Sequence, residues 1–426
     1  MYLSNKMAEG VNFPKKPHLS KYPSLAQALS RASVNRRKFL TLALYGIFSR
    51  AQATGAPTKS FPDFVAEIWP AAQQAGIAQQ IFETVATGLT PEPGILNKPQ
   101  AQAEFTIAIP AYVASVLTPT RISRGRAIAS ELDSPLARAS QRHGVPGEII
   151  IAILGIESNY GVSTGSADIF RVLATLAWSG HRSEIFLSEF IAALTILQNG
   201  DASRSQLRGS WAGAMGQPQF MPSAYLKYAE SNDGGHAPDI WRSREDSIAS
   251  IANFLEKSGW RADLPAVVEV RLPENYDYAA IDLDFSQWRS LGVTQANGES
   301  LPKSGAASLY FPAGALGPCF LISENFEVIR KYNLSDAYAL SVTLLAERIA
   351  GRSTPTTPWP KVTPLSTNEV KSLQHLLAER GYYQGAFDGK LGRSSRNAIH
   401  ATQINQGWLP ADGFATRALL ARLRAL

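Results

Sequence analysis

EIIIAILGIESNYG, residues 148–161, sets a glutamate at the end of an unbroken apolar run. Isoleucine and leucine fill every face between Glu148 and Ile156, so a helix here is buried rather than amphipathic. A carboxylate resists such surroundings, because losing its hydration is unfavourable unless a partner compensates. Glu157 is followed at once by the turn-forming residues Ser158, Asn159, Tyr160 and Gly161, which places it where core gives way to cleft. Taken alone, the stretch fits a plain helix end reaching solvent equally well.

The chain has 426 residues, 45% of them hydrophobic, which is globular composition with room for two or three domains. Its net charge of +6 is unevenly spread: residues 1–53 hold nine Lys/Arg and one acid, leaving 32 basic against 34 acidic residues elsewhere. The basic balance is therefore no footprint for nucleic acid. Within the basic segment, Arg36, Arg37 and Lys38 precede an apolar stretch Phe39–Phe48 and a small-x-small site at Ala51-Gln52-Ala53. Residues 1–53 are read as a signal peptide of twin-arginine character, although Asn35 stands where that pattern favours Ser or Thr. The stretch is too short for a bilayer span and no cysteine follows to accept a lipid, so a soluble periplasmic protein with no stable membrane anchor is expected. Met7 is an alternative start.

Cys319 is the single cysteine, so no intrachain disulfide can form. Six scattered histidines give no zinc spacing, and neither a Walker loop nor a dinucleotide fingerprint is present. No cofactor and no metal are expected.

From Phe61 to about Gly259 the pattern is helical, with apolar spacing in Ile185–Leu197 and Ile248–Leu255, the latter preceded by a capping box of Ser243 and Asp246. The texture then changes. Ala266–Leu272, Ser308–Phe311 and Cys319–Ile322 read as short strands of a β-containing insertion, and a last helical run covers about Asn325–Arg348. A Pro/Thr-rich linker occupies 352–364, and residues 365–426 read as three short helices with Asp-Gly turns at 388–389 and 412–413, a weak internal duplication. This tail resembles the peptidoglycan-binding-like domain, whose signature is matched by GYYQGAFDGKLG at 381–392. The linker leads us to expect a separable module.

A second unusual stretch, GSWAGAMGQPQFMPSAY at 209–225, carries too many small residues for a packed helix. Gly209, Gly213 and Gly216 let backbone approach either a ligand or another segment, and Gln219 and Ser223 add polar groups.

Together these stretches resemble the MltB-type lytic murein transglycosylases, glycoside hydrolase family 103, over residues 61–351. The likeness runs through GVPGEIIIAILGIESNYG (144–161), HRSEIFLSEFIAAL (181–194), SWAGAMGQPQFMPS (210–223), DIWRSREDSIASIANFL (239–255) and ENFEVIRKYNLSDAYAL (324–340). The resemblance implies a mainly α, lysozyme-like catalytic domain acting on peptidoglycan glycan strands, and a monomer is expected. It makes Glu157 the catalytic acid/base, with Ser210 and Gln219 orienting it or holding the glycan. Tyr112, Tyr332, Tyr338 and Asn333 fall on its cleft pattern, and Arg182 fits it more loosely. The family's calcium loop has only an irregular counterpart in YAESNDGGHAPDIW (228–241), with Glu230, Asn232, Asp233 and Asp239, so no calcium is expected.

Such an enzyme needs a protonated acid, and burying Glu157 behind Ile153, Leu154 and Ile156 should raise its pKa as desolvation does for lysozyme's general acid. No motif offers a second carboxylate, so assistance by the sugar's own 2-acetamido group is expected, followed by closure of a 1,6-anhydro ring. The rival readings are a muramidase that hydrolyses the same bond and a non-catalytic wall-binding scaffold.

Overall fold

The computed structural model describes residues 59–95, 107–180, 182–353 and 355–426. The export segment expected over 1–53 lies outside them. The described chain is mostly helical with one five-stranded sheet, the fold class expected from its sequence.

Helix Gly147–Ser158 is the axis of the first core, with Ile149 to Gly155 buried on all faces. Helices Pro119–Glu131, Asp133–His143, Arg244–Lys257 and Asp336–Ile349 pack around it. Each buried Ile or Leu contributes about 1.5–3 kcal/mol, so the run can hold a less favourable residue at its end. The helix stops because Asn159 (φ 50°) and Tyr160 (φ 60°) turn left-handed. A bulky residue rarely adopts that conformation. Tyr160 is held there by full burial and by its hydroxyl, which donates to the Arg121 carbonyl at 2.8 Å. Its ring folds back over Gly155, where an added Cβ would come within 2.5 Å of it.

A second core joins the N-terminal helices Phe61–Glu67, Trp69–Gln74 and Gln79–Ala86 to Ile169–Trp178 and Ser183–Asn199, and takes Met215 and Phe220 from the glycine-rich loop. Phe254 and Tyr332 pack against both cores, which marks the seam between them.

The β-insertion is one antiparallel sheet in the order Asp282–Asp284, Ala306–Tyr310, Cys319–Ser323, Val267–Arg271, Thr294–Gln295. Its two edge strands escape sequence reading because they are short and polar, with no alternation to count. Two further expectations are corrected. The helical run expected over Asn325–Arg348 is two helices, Glu324–Asn333 and Asp336–Ile349, broken where Leu334 turns left-handed (φ 31°) and Ser335 caps the second by accepting from the Tyr338 amide at 3.3 Å. The capping box ahead of Arg244–Lys257 is half formed: Ser243 accepts from the Asp246 amide at 3.0 Å, while the Asp246 carboxylate accepts instead from the Asn232 and Asp239 amides.

The C-terminal helices Thr367–Glu379, Arg393–Asn405 and Arg417–Arg424 enclose their own small core. The duplication is physical. Gln374 donates to Asp388 and accepts from the Gly389 amide, and Gln403 does the same with Asp412 and Gly413. The Pro/Thr segment is not a free tether, because the Thr356 and Thr357 amides donate to the Glu269 carboxylate at 2.7 and 2.9 Å and Trp359 packs beside Phe320.

Candidate active site

Glu157 sits half-buried in the last turn of Gly147–Ser158, two residues before Asn159 turns left-handed. The apolar run thus supplies a rigid base, and the turn releases the chain at the seam between the two helical cores. Tyr338, fully buried in the first turn of Asp336–Ile349, donates its hydroxyl to Glu157 Oε1 at 2.5 Å. Burial, with the Glu157 charge beside it, holds the Tyr338 phenol well above the usual phenol range. At neutral pH it therefore remains a donor.

Tyr332, at the end of the preceding helix, stacks on Tyr338 with centroids 6.3 Å apart and packs on Phe220 and Phe254. Its hydroxyl donates to the Pro218 carbonyl at 2.7 Å, and burial and the Glu157 charge raise its pKa well above the usual range too. Tyr112, buried on Ile109–Val116, also contributes to holding Tyr338 neutral. The break at Leu334 is what lets consecutive helices present both Tyr332 and Tyr338, and Asn333 lies half-buried beside it.

The glycine-rich loop closes around itself. Ser210 Oγ accepts from the Ala212 and Ala214 amides at 3.4 and 3.2 Å. Gln219, itself at φ 54°, donates to the Thr164 and Gly216 carbonyls at 3.1 and 2.8 Å, clipping the loop to the turn that follows Glu157. The glycines serve this closeness: a Cβ at Gly209 would stand 2.1 Å from the Ala214 carbonyl, and one at Gly216 would stand 2.6 Å from that of Ile240. Of the two uses weighed for them, segment packing is the one observed. Gln217 is a residue that sequence reading passed over. It is buried, and its side-chain oxygen fills the space beside Gly161, where a Cβ would approach it to 2.5 Å. Nothing in the string GQPQF separates it from Gln219. Arg182 is exposed in a left-handed conformation at the start of Ser183–Asn199, away from the tyrosine group in sequence and unlinked to it by the described hydrogen bonds.

Two buried acids in neighbouring elements are committed elsewhere. Asp168 caps Ile169–Trp178 and pairs with Arg204 at 2.7 Å. Glu189 accepts from the Ser223 amide and hydroxyl, and burial raises its pKa.

The sequence profile described as Transglycosylase SLT domain matches residues 60–347, and that of the peptidoglycan binding domain matches 366–423. Membrane-bound lytic murein transglycosylase B of Escherichia coli (strain K12) is 32% identical over 246 residues, 56% of this chain and 66% of that protein. SltB3 of Pseudomonas aeruginosa, solved in complex with NAG-anhNAM-pentapeptide, superposes with a TM-score of 0.79 at 42% identity, covering 86% of this chain and all of that one. The E. coli lytic transglycosylase Slt35, solved in complex with calcium, has a TM-score of 0.56 at 29% identity and covers 68% of this chain and 92% of its own.

The residues here do not fit a calcium ion between Tyr228 and Trp241. Asp233 accepts from the Ser231 hydroxyl and the Gly235 amide, Asp239 from the Trp241 and Arg242 amides, and Glu230 pairs with Arg142 at 2.7 Å. These carboxylates face backbone donors and cations rather than a common centre, whereas calcium takes six to eight converging oxygens.

Proposed function

The chain belongs to the transglycosylase SLT domain family, and on that premise we propose that it is a lytic murein transglycosylase, cleaving the MurNAc-β-1,4-GlcNAc bond of peptidoglycan with formation of 1,6-anhydro-MurNAc ends. The observation that carries the reading is a half-buried glutamate at the seam of the two helical cores whose Oε1 accepts a hydrogen bond from a buried phenol. With Tyr338 donating to Oε1, the catalytic proton resides on Oε2. Glu157 gives it to the departing GlcNAc O4 as the C1–O4 bond breaks, while the MurNAc 2-acetamido oxygen attacks C1. Deprotonated Glu157 then takes the proton of the 6-hydroxyl, whose oxygen displaces the acetamido oxygen at C1 and closes the anhydro ring. Tyr338 orients the carboxylate through both steps and stabilises its charge between them.

Ser210, Gln219, Tyr112, Tyr332 and Asn333 shape the glycan cleft, Ser210 by bracing the loop internally and Gln219 by holding it to the turn after Glu157. Arg182 stands at most at its outer edge. The domains are read as 61–351 catalytic, 352–364 connecting and 365–426 polymer-binding, the last raising the local concentration of substrate.

Product chemistry tests the reaction. The 6-hydroxyl is tethered to the reacting ring at high effective molarity, so it should outcompete water once the cleft excludes solvent. Weighing muropeptides after digestion should show products lighter by one water than hydrolytic ones, without a reducing end on muramic acid. Reducing muropeptides dominating from the first minutes identify a muramidase instead.

Among the described residues no helix is long and apolar enough to cross a membrane. We read the destination as the periplasm, with Arg36 and Arg37 as the export address. Replacing both with Lys keeps the charge but should leave the precursor in the cytoplasm, since that address is receptor-read. Normal periplasmic recovery in fractionated cells favours the general secretory route.

A further inference from the structure

Asp336 opens the helix that presents Tyr338, and it is buried between two arginines from different parts of the chain. Its Oδ1 pairs with Arg330 Nε at 2.7 Å, and its Oδ2 pairs with Arg396 Nη1 from the C-terminal module. The Arg396 guanidinium also lies over the buried Tyr310 ring, 4.6 Å from its centroid. Glu327 completes the group, pairing with Arg330 at 2.6 Å and facing Arg393 of the module at 3.8 Å. Between Arg330 and Asp336 lies the break at Leu334, whose left-handed backbone is disfavoured for a branched residue. The ion group therefore spans the joint whose geometry decides where Tyr332 and Tyr338 point.

The module is fastened at other places as well. His400 Nε2 lies 2.6 Å from the Tyr278 carbonyl, and the Asp412 carboxylate accepts from the Ala315 amide at 3.0 Å. These contacts fall on the β-insertion, whereas Arg396 reaches from the module to the first residue of the Tyr338 helix.

We propose that Arg396 is a positioning residue: by pairing with Asp336 it fixes the Leu334–Ser335 joint and so aims Tyr338 at Glu157. The C-terminal module thereby acts on turnover as well as on retention of the polymer. A buried carboxylate that loses one of two guanidinium partners reorients to regain solvation, and the helix start moves with it. The proposal rests on the reading of Glu157 and Tyr338 as the active pair.

The test uses the full chain on short soluble glycan strands, which do not require polymer retention. Arg396→Met should lower kcat about tenfold with KM within about twofold, in the range by which residues away from reacting atoms modulate a coupled site. Arg396→Lys keeps the charge without the planar fork and should lie within about threefold of wild type. His400→Ala removes a different docking contact and should leave kcat unchanged. Thermal unfolding is followed for each, and if Arg396→Met does not fold, Arg396→Gln carries the same expectation. Wild-type kcat in the Arg396 variants, with loss confined to sacculus binding, overturns the proposal, as does an equal kcat loss in His400→Ala. A Glu157→Gln protein that still cleaves these strands would instead overturn the reading of the site itself.

Discussion

Glu157→Gln leaves a folded protein that solubilises sacculi at a rate lower by about 10²–10⁴-fold, the range that general acid–base catalysis supplies. The amide matches the carboxyl in shape, and its oxygen can still accept the Tyr338 hydrogen bond of 2.5 Å. What it lacks is the transferable proton. The buried run Ile149 to Gly155 beneath it is unaltered by the change. Circular dichroism and thermal unfolding should therefore overlay those of the wild type. Comparable solubilisation by the two proteins removes Glu157 from the acid/base role, and an unfolded variant would show instead that the residue holds the seam together.

The position of Glu157 was legible because an apolar run and a turn signal are both local. Helix Gly147–Ser158 is written in eight consecutive small or aliphatic residues, and its end in Asn159 to Gly161. The partner of that glutamate is 181 residues away, and only the resemblance pointed to Tyr338. Pattern alone joins the two tyrosine helices into one run. Leu334 is a good helix former, and nothing in YNLSDAY except Ser335 announces the break. Tertiary packing decides there, through Tyr332 wedged among Phe220 and Phe254 and Asp336 paired across the joint. The course of the Pro/Thr connection is set in the same way. Its composition suits an extended chain, but whether such a chain hangs free depends on Glu269, on a strand far earlier, meeting the Thr356 and Thr357 amides. The small tail read most truly, because its two Asp-Gly turns and its helix faces are all short-range features.

Gly155→Val should be the most damaging change that touches neither substrate nor acid. In an exposed helix, replacing glycine with a residue bearing a side chain gains up to about 1 kcal/mol of helix propensity. Here the new Cβ alone would stand 2.5 Å from the Tyr160 ring, and Val adds two methyl groups beyond it. The ring cannot yield, being fully buried and tethered by its hydroxyl to the Arg121 carbonyl at 2.8 Å. Gly125 presses on the same hydroxyl from the other side, where a Cβ would also meet it at 2.5 Å. Overpacking of this kind costs about 3 kcal/mol, which outweighs the propensity gain and, for a unit of this size, corresponds to a Tm lower by about 5 °C. Activity should fall further than stability requires, even well below the new Tm, because the displaced Tyr160 is the residue that turns the chain directly after Glu157. Gly155→Ala, with the same clash at Cβ and no more, should show both effects at smaller size. A Val variant that melts with the wild type would mean that Tyr160 finds another seat, and that the left-handed turn does not depend on the ring folding back under the helix.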